Sequence, residues 1–328
     1  MCDRSHDILL HLLHYSLYLK QSYTIVVCKG LQLKSVETKT QKILFVVNRG
    51  SGNKEIDYVK EIKSFFDNKK EEFEIYELPD NCSIDKIKAA IQKAKADRVV
   101  AVGGDGTLKL VAECLLETKT PIGIIPAGSA NGMAKELGVP DDVKEALELA
   151  INGKPKQIHA VLINGELCIH LADIGFNAYI VKKFNELPTR GMWTYAKAAW
   201  HAFWYHRKMD VEFKIGDKLI KQKAAMVAIA NARKYGTGFV INPDGKLDDD
   251  LFEVIIVKDY AVMEILKIWA TKLPWNPEKI ESFQTSALKI TTKHKVHFQV
   301  DGEYQGKVKK IEANIITKAI NVISSPSS

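Results

Sequence analysis

Apolar runs and amphipathic stretches alternate along the first half of the chain. Short runs rich in β-branched residues, typical of strands covered on both faces, occur at 42–47, 99–102 and 121–125, and residues 73–78 are predicted as a further strand. Between them, apolar residues recur at helical spacing, as at 59–66 and 84–94. Strands that alternate with helices predict a parallel, doubly wound α/β sheet.

From about residue 156 the chain changes to short runs in which apolar and polar residues alternate. These runs are separated by turn-forming Gly, Asn and Asp residues, and they lie at 159–164, 166–173, 210–215, 224–231, 251–257, 295–300 and 312–323. This pattern predicts a C-terminal antiparallel β-sandwich, interrupted by helices around 188–208 and 261–272.

The change in pattern predicts two domains, which the length of 328 residues also favours. We expect an α/β domain at 41–155 and a β-rich domain at 156–317, with the end at 318–326 packing back on the first domain. Residues 1–40 are interpreted as an extension outside the core fold. The NGKPK segment at 152–156 is a candidate hinge, so a ligand site is expected in the cleft between the domains.

Composition and charge exclude several classes of protein. Five cysteines lie far apart without a CxxC pair, which argues against a zinc site or disulfide framework and for a reduced, cytoplasmic protein. No apolar stretch approaches the ~20 residues that span a bilayer, and the run at 8–19 lacks the flanks of a secretory signal. The net charge of +7 permits attraction to anionic lipid surfaces or nucleotides.

Three glycine-bearing turns, at 48–53, 103–107 and 126–132, follow predicted strands. Ligands of doubly wound sheets bind beyond the carboxyl ends of the strands, where these turns fall. In GGDGT at 103–107, the glycines allow a close backbone approach, and the following helix offers free N–H groups to an anion. The turn therefore predicts phosphate binding, although an ordinary glycine-rich strand-to-helix turn is the alternative. Asp105 would need a cation or a hydroxyl proton between its carboxylate and a phosphate.

Five motifs in this order carry a specific resemblance. They are the NxxSG turn of Asn48, Ser51 and Gly52, GGDGT at 103–107, IIPAGSANGMAKELGVP at 124–140, NPDGKLDDDLFEV at 242–254 and VDGE at 300–303. Together they resemble the diacylglycerol kinase catalytic-domain family, which includes bacterial lipid kinases and sphingosine or ceramide kinases. The resemblance covers residues 41 to about 325.

The resemblance implies an ATP-dependent lipid kinase with an N-terminal nucleotide-binding domain and a C-terminal lipid-substrate domain. Such an enzyme of lipid metabolism transfers the γ-phosphoryl of ATP to a hydroxyl of diacylglycerol or a sphingoid-like lipid, with Mg²⁺ as cofactor. The residues implied at the nucleotide site are Asn48, Ser51, Gly52, Gly103, Gly104, Asp105, Gly106, Thr107, Gly128, Ser129 and Asn131.

Asp301 and Glu303 match the family positions of the general base and its partner. From the residues alone, an aspartate of a hairpin turn is the favoured interpretation of Asp301, because Asp-Gly is a common turn dipeptide. Asp249 matches the carboxylate that holds a structural Mg²⁺, with the carbonyls of Lys246 and Leu251 as further ligands, and Asp105 is an additional metal candidate. The alternative for Asp249 is a solvated acidic turn.

The chain departs from the family pattern at four positions. Lys109 and Leu110 stand where bacterial glycerolipid kinases usually have Asn and Glu, and Gly132 replaces an acidic residue. The GSxN form at 128–131 is closer to the sphingosine kinase pattern, and Asp250 stands where Gly is usual. An NAD kinase and a non-catalytic lipid- or nucleotide-binding protein of the same fold are the alternatives.

The segment at 190–208 combines aromatic and basic residues, among them Trp193 and Trp204. This composition suits a membrane interface, and the same residues also suit a packed helix. We expect peripheral membrane contact, a lipid substrate at the membrane surface and no nucleic-acid partner, and a homodimer is a further expectation.

Overall fold

The computed structural model describes residues 41–51, 56–67, 69, 71–79, 82–186, 208–233, 245–258, 276 and 278–325. Strands and helices alternate through the N-terminal half. The elements are β1 (Lys42–Val47), α1 (Tyr58–Phe66), β2 (Glu72–Glu77), α2 (Ile84–Ala94), β3 (Arg98–Gly103), α3 (Asp105–Cys114), β4 (Ile122–Pro126), α4 (Gly132–Glu136) and α5 (Val143–Asn152).

The N-terminal strands form a parallel sheet in the order β4-β3-β1-β2. Nearly every residue of β1, β3 and β4 is buried, because helices cover the sheet and the apolar runs leave no polar face. On α3, the apolar residues that recur at helical spacing, such as Leu108 and Val111, are also buried. The predicted doubly wound parallel sheet is confirmed.

The C-terminal half is largely antiparallel. Its elements are β5 (Pro155–Ile163), β6 (Glu166–Cys168), β7 (Leu171–Gly175), α6 (Phe176–Glu186), β8 (Met209–Ile215), β9 (Lys218–Ala224), β10 (Met226–Ala230), β11 (Phe252–Val257), β12 (Ile280–Thr285), β13 (Ala287–Val300) and β14 (Glu303–Ile323). The antiparallel strands follow the order β12-β11-β10-β7-β13-β14. They enclose an apolar cluster of their own, as a β-sandwich requires, which confirms this part of the predicted fold.

Strand β14 connects the two halves. Its first part pairs with β13, its second part pairs with β5, and Val322 near its end pairs with Ile122 of β4 in parallel. All described strands therefore belong to one hydrogen-bonded sheet. The division of the chain at residue 155 stays a prediction.

The run at 166–173, predicted as one strand, is divided in the structure. Ile169 and His170 separate β6 from β7, and their backbone N–H groups point to a carboxylate instead of a neighbouring strand. The sequence pattern also missed α5, α6, β9 and β12.

Several predictions fall on residues that the structure does not describe. These are the extension at 1–40, the helix around 261–272 and, apart from Lys208, the helix around 188–208. Among the described residues, none of the helices has the length and apolar character needed to cross a bilayer.

Candidate functional site

The three glycine-bearing turns lie side by side at the carboxyl edge of the parallel sheet. The Asn48 backbone N–H donates to the carbonyl of Val102 over 2.9 Å, and its side-chain amide donates to the Thr107 hydroxyl over 3.0 Å. The Ala127 N–H donates to the Gly103 carbonyl over 2.9 Å. These contacts join the ends of β1, β3 and β4 into one surface.

Two glycines allow the second and third turns to touch. A Cβ added to Gly128 would lie 2.5 Å from the Gly104 Cα, and a Cβ added to Gly104 would lie 3.1 Å from the Gly128 Cα. Real side chains do not tolerate the shorter distance, so this close backbone approach requires glycine. It leaves backbone N–H groups near the surface where an anion could bind.

Asp105 joins the same two turns through its side chain. Its carboxylate accepts the N–H of Gly132 over 2.9 Å and that of Met133 over 3.0 Å, at the start of α4. Asn131, with φ of +51°, precedes α4 and exchanges two 2.8 Å hydrogen bonds with the backbone of Gly128. The backbone of the third turn thus stabilises the charge of Asp105, which explains how a carboxylate fits among glycine turns.

The hydroxyl residues of the turns have different environments. The Ser51 hydroxyl donates to the Asn48 carbonyl over 2.7 Å, Thr107 is buried beneath Asn48, and Ser129 is exposed. Gly52 lies outside the described residues. Ser129 is therefore the hydroxyl among these three that is open to a ligand.

The Asp301-Gly302 dipeptide forms the tight turn between β13 and β14. The φ angles are +49° at Asp301 and +85° at Gly302, as in a type I′ hairpin turn. Oδ1 of Asp301 accepts the N–H groups of His170 and Leu171, and Oδ2 accepts that of Ile169, each over 3.0 Å. The carboxylate is therefore both a turn residue and an acceptor for three successive backbone amides.

Cys168 completes the surroundings of Asp301. Its thiol is buried and donates to Oδ1 over 3.5 Å. Burial, followed by the nearby Asp301 carboxylate, raises the pKa of this thiol well above its usual value. The thiol therefore stays protonated and acts as a weak donor.

Glu303 brings the VDGE turn against the GGDGT turn. A Cβ on Gly106 would lie 3.7 Å from Glu303 Oε1, and Lys109 Nζ lies 3.6 Å from Glu303 Oε2. Lys109 also lies 4.0 Å from Glu113, and it makes no hydrogen bond through its ammonium within the described part of the chain. Burial raises the pKa of Glu113, and Lys109 opposes this shift. The lysine that departs from the family pattern thus places a cation beside the exposed Glu303.

Asp249 offers a single buried ligand oxygen to a cation. Its Oδ1 is buried and has no hydrogen-bond partner among the described residues, which is the state expected of a carboxylate that binds a metal ion. The following Asp250 has φ of +59°, which explains why glycine is usual there. In the part of the chain that the structure describes, no group of three His, Cys, Asp or Glu side chains could hold a metal. An ion at Asp249 would therefore depend on carbonyls, such as those of Lys246 and Leu251, and on water.

Two family models match successive parts of the chain. The diacylglycerol kinase catalytic domain matches residues 42–163, and the YegS C-terminal NAD kinase beta sandwich-like domain matches residues 171–324. A probable lipid kinase YegS-like protein of Klebsiella pneumoniae is 30% identical over 230 residues, which are 66% of this chain and 74% of that protein. The chain belongs to the diacylglycerol kinase catalytic-domain family.

Solved structures show the fold of this diacylglycerol kinase family member. A diacylglycerol kinase from Bacillus anthracis has a TM-score of 0.68 and 20% identity, with 89% of this chain and 99% of that chain covered. An NAD kinase from Archaeoglobus fulgidus, solved in complex with ATP, has a TM-score of 0.53 and 15% identity, with 87% and 94% covered. The fold is therefore common to diacylglycerol kinases and NAD kinases.

The resemblance to the diacylglycerol kinase family identified the carboxylates of the site but not the groups that hydrogen-bond to them. The groups that bind Asp301 are backbone amides of residues 169–171, and the residue types at these positions do not indicate them. Gln299, which accepts the Gly302 N–H, and Asp173, which binds the Gln299 amide, were also missed. Their polar side chains inside otherwise apolar strands are the signal that could have found them.

Proposed function

We propose that the protein is an ATP-dependent lipid kinase that transfers the γ-phosphoryl of ATP to a hydroxyl of diacylglycerol or a sphingoid-like lipid. The observation that carries the proposal is the approach of Glu303 in the VDGE turn to the GGDGT turn, where Glu303 Oε2 lies 3.6 Å from Lys109 Nζ and a Cβ added to Gly106 would lie 3.7 Å from Oε1. It brings carboxylates that can accept a proton next to a surface suited to phosphates. Phosphoryl transfer needs both groups within a few ångströms of each other.

The glycine turns would hold the nucleotide. The backbone N–H groups of these turns, the start of α3 and the exposed Ser129 hydroxyl would bind the ATP phosphates. Mg²⁺, when bound, supplies positive charge to the phosphate oxygens. Asp249, with the carbonyls of Lys246 and Leu251, would hold a structural ion away from the transfer step, and the remaining lone pairs of Asp105 are available to a second ion.

The VDGE turn would activate the acceptor. Among the described residues, Oδ2 of Asp301 accepts a single hydrogen bond, from the Ile169 N–H, so it can accept the proton of a lipid hydroxyl. The lipid oxygen then bonds to the γ-phosphorus, the bond from that phosphorus to the bridging oxygen breaks, and ADP leaves. Glu303, held near Lys109, is the partner carboxylate on the open side of the turn.

An NAD kinase is the second candidate, because the structural likeness to an ATP-bound NAD kinase has a TM-score of 0.53. In that case the acceptor would be a ribose hydroxyl of NAD instead of a lipid. A non-catalytic binding protein of the same fold would bind nucleotide or lipid without transfer.

A transfer assay distinguishes these functions. We would incubate the protein with radiolabelled ATP, Mg²⁺ and mixed micelles of diacylglycerol, sphingosine, ceramide or monoacylglycerol, with NAD as a separate acceptor. Label in a lipid supports the proposal, whereas label only in NADP, or in no acceptor, would reject it.

Two variants test the acceptor carboxylates. Asp301→Asn should lower transfer by at least about 10²-fold, the usual contribution of a general base, with ATP affinity nearly unchanged. Glu303→Gln should also lower transfer without weakening ATP binding. Asp217→Asn is the matched control, because Asp217 lies exposed in the β8–β9 hairpin turn. Loss of ATP binding in Asp301→Asn, at an unchanged melting temperature, would contradict the role given to this residue.

A further inference from the structure

A buried carboxylate lies directly behind the VDGE turn. Asp173 of β7 is 2% exposed, and its Oδ2 accepts hydrogen bonds from the side-chain amides of Asn177 and Gln299, each over 2.5 Å. Gln299 of β13 is 1% exposed and pairs with Asp173 across the two strands. The contact is therefore part of the sheet and not a chance approach of loop side chains.

Gln299 carries the contact from Asp173 to the turn. Its Oε1 accepts the N–H of Gly302 over 2.8 Å. A glutamine amide can be rotated by half a turn, which would exchange its donor and acceptor. Because the Asp173 carboxylate only accepts, it fixes the Gln299 amide nitrogen on its own side and the oxygen toward Gly302. Asp173 therefore determines which atom Gln299 presents to the turn.

The segment around β7 thus holds the turn at two points. The amides of residues 169–171 hold the Asp301 carboxylate, and Asp173 holds the Gly302 backbone through Gln299. One point is the Asp301 side chain, and the other is the N–H of the Asp301-Gly302 peptide. Together they define its orientation.

The presence of Asp173 at this position is not explained by a contribution to the stability of the fold. Its direct neighbours across the sheet, on the same face, are Ala228 of β10 and Gln299 of β13, and both are buried. Its Oδ1 has no hydrogen-bond partner within the described residues. A buried carboxylate with an unpartnered oxygen costs free energy, and an apolar residue would pack there at lower cost.

We propose that Asp173 and Gln299 are positioning residues for the VDGE turn. They fix the Gly302 backbone and so place Asp301 and Glu303 against the glycine turns. The effect on catalysis rests on the proposed kinase function, whereas the contact itself does not. Neither residue touches the reacting groups.

Other titratable groups near the contact are few. Burial raises the pKa of Asp173 to about 6, and the groups that favour its ionised form, Asn177, Gln299 and the amide of Ala178, are uncharged. Strand β10, which pairs with β7 at Asp173, has no titratable side chain. On β13 the nearest such group is His297, which contacts the Tyr304 hydroxyl. His170 and Cys168 lie beside the turn, so the test compares proteins with and without the Asp173 charge.

The first test measures kinetics of Gln299→Leu. It should lower kcat by about 10²-fold, the scale expected from a small misplacement of a catalytic group, and leave KM for ATP within twofold. Thr292→Val is the matched control on the same strand, because it removes a buried hydroxyl that bonds only to the carbonyls of His294 and Lys309 in the described part of the chain. Equal kcat values for the two variants, at equal melting temperatures, would overturn the proposal.

The second test follows the Gly302 amide of the VDGE turn by NMR and does not depend on catalysis. The sequence contains three Asp-Gly pairs, ending at Gly106, Gly245 and Gly302, so protein labelled with carbonyl ¹³C-Asp and ¹⁵N-Gly gives only three correlated amide signals. The Gly302 signal should shift with a midpoint near pH 6 and lose this transition in Asp173→Asn. The other two signals are internal references. An identical Gly302 titration in both proteins would overturn the proposal, even in a protein that folds but transfers no phosphoryl group.

The experiments distinguish failure of the lipid kinase proposal from failure of the positioning proposal. A protein that phosphorylates no lipid but shows the Asp173-dependent Gly302 transition rejects the lipid kinase assignment and supports the positioning contact. A protein that phosphorylates lipid equally well with Gln299→Leu rejects the positioning role alone.

Discussion

Replacing Asp173 by asparagine should stabilise the protein at neutral pH. The substitution preserves side-chain volume, and the asparagine oxygen can still accept hydrogen bonds from Gln299 and Asn177. What disappears is the buried charge. Burial raises the pKa of Asp173 from its ordinary 3.8 to about 6, so the shift is about two pH units. At about 1.4 kcal/mol per unit, the ionised form costs the native state about 3 kcal/mol.

The sign of the pH dependence follows from proton binding. Between pH 3.8 and about 6 the native state binds the Asp173 proton more tightly than the unfolded state does. The contribution of Asp173 to the free energy of unfolding therefore falls as pH rises through this window. Below this pH window Asp173 does not change the free energy of unfolding, and above the window it lowers that free energy by the full amount.

Urea unfolding of the wild type and Asp173→Asn measures the effect. The free energy of unfolding of the variant should exceed that of the wild type by up to about 3 kcal/mol at pH 7.5. At pH 5 the difference should be about half of that, because Asp173 is ionised in the unfolded wild type but still mostly protonated in the native state. Thr292→Val should show the same difference from wild type at both pH values. A difference for Asp173→Asn that does not change with pH would refute the reasoning.

Three further predictions concern the site. Gly128→Ala should abolish ATP binding and lower the melting temperature more than Gly104→Ala, because its Cβ would lie 2.5 Å from a backbone atom instead of 3.1 Å; equal effects in calorimetry and ATP titration would contradict this. Lys109→Met should raise the pKa of Glu113 further in an NMR titration of side-chain carboxyls, since the cation that opposes its protonation is lost, whereas Lys109→Arg should keep the wild-type titration; an unchanged Glu113 titration in Lys109→Met would contradict this. Asp249→Asn should remove the stabilisation by Mg²⁺, which is about 1.4 kcal/mol at a Mg²⁺ concentration ten times the dissociation constant and is measured as a rise in melting temperature. Asp248→Asn should keep this stabilisation, because Asp248 faces Lys156.

The parallel half of the fold could be predicted because its strands leave a strong signal. Runs such as 43–47 and 99–102 are apolar throughout, since both faces of each strand are covered. The helix α5 was missed because the NGKPK segment beside it was interpreted only as a hinge. Strand β9, with mostly exposed residues, has too little apolar alternation to be recognised.

The site could be predicted as a set of residues but not as a set of contacts. The glycine turns were correctly expected at the carboxyl edge of the sheet, because parallel topology alone brings them there. The two hydrogen bonds of Asp105 to α4 and the three of Asp301 to residues 169–171 join positions far apart in the chain. Their donors are backbone amides, which every residue except proline carries, so residue type gives no indication of them.

The long strand β14 has a consequence for the order of events during synthesis. Strand β4 pairs in parallel with Val322 near the end of β14, and β5 pairs with residues 313–323 of β14. A nascent chain that has released only residues 42–163 therefore has an unpaired apolar edge, of the kind that recruits other chains. The parallel sheet of β1 to β4 becomes complete only when β14 has been synthesised. The two family-matched segments should therefore aggregate when expressed apart and become stable when expressed together.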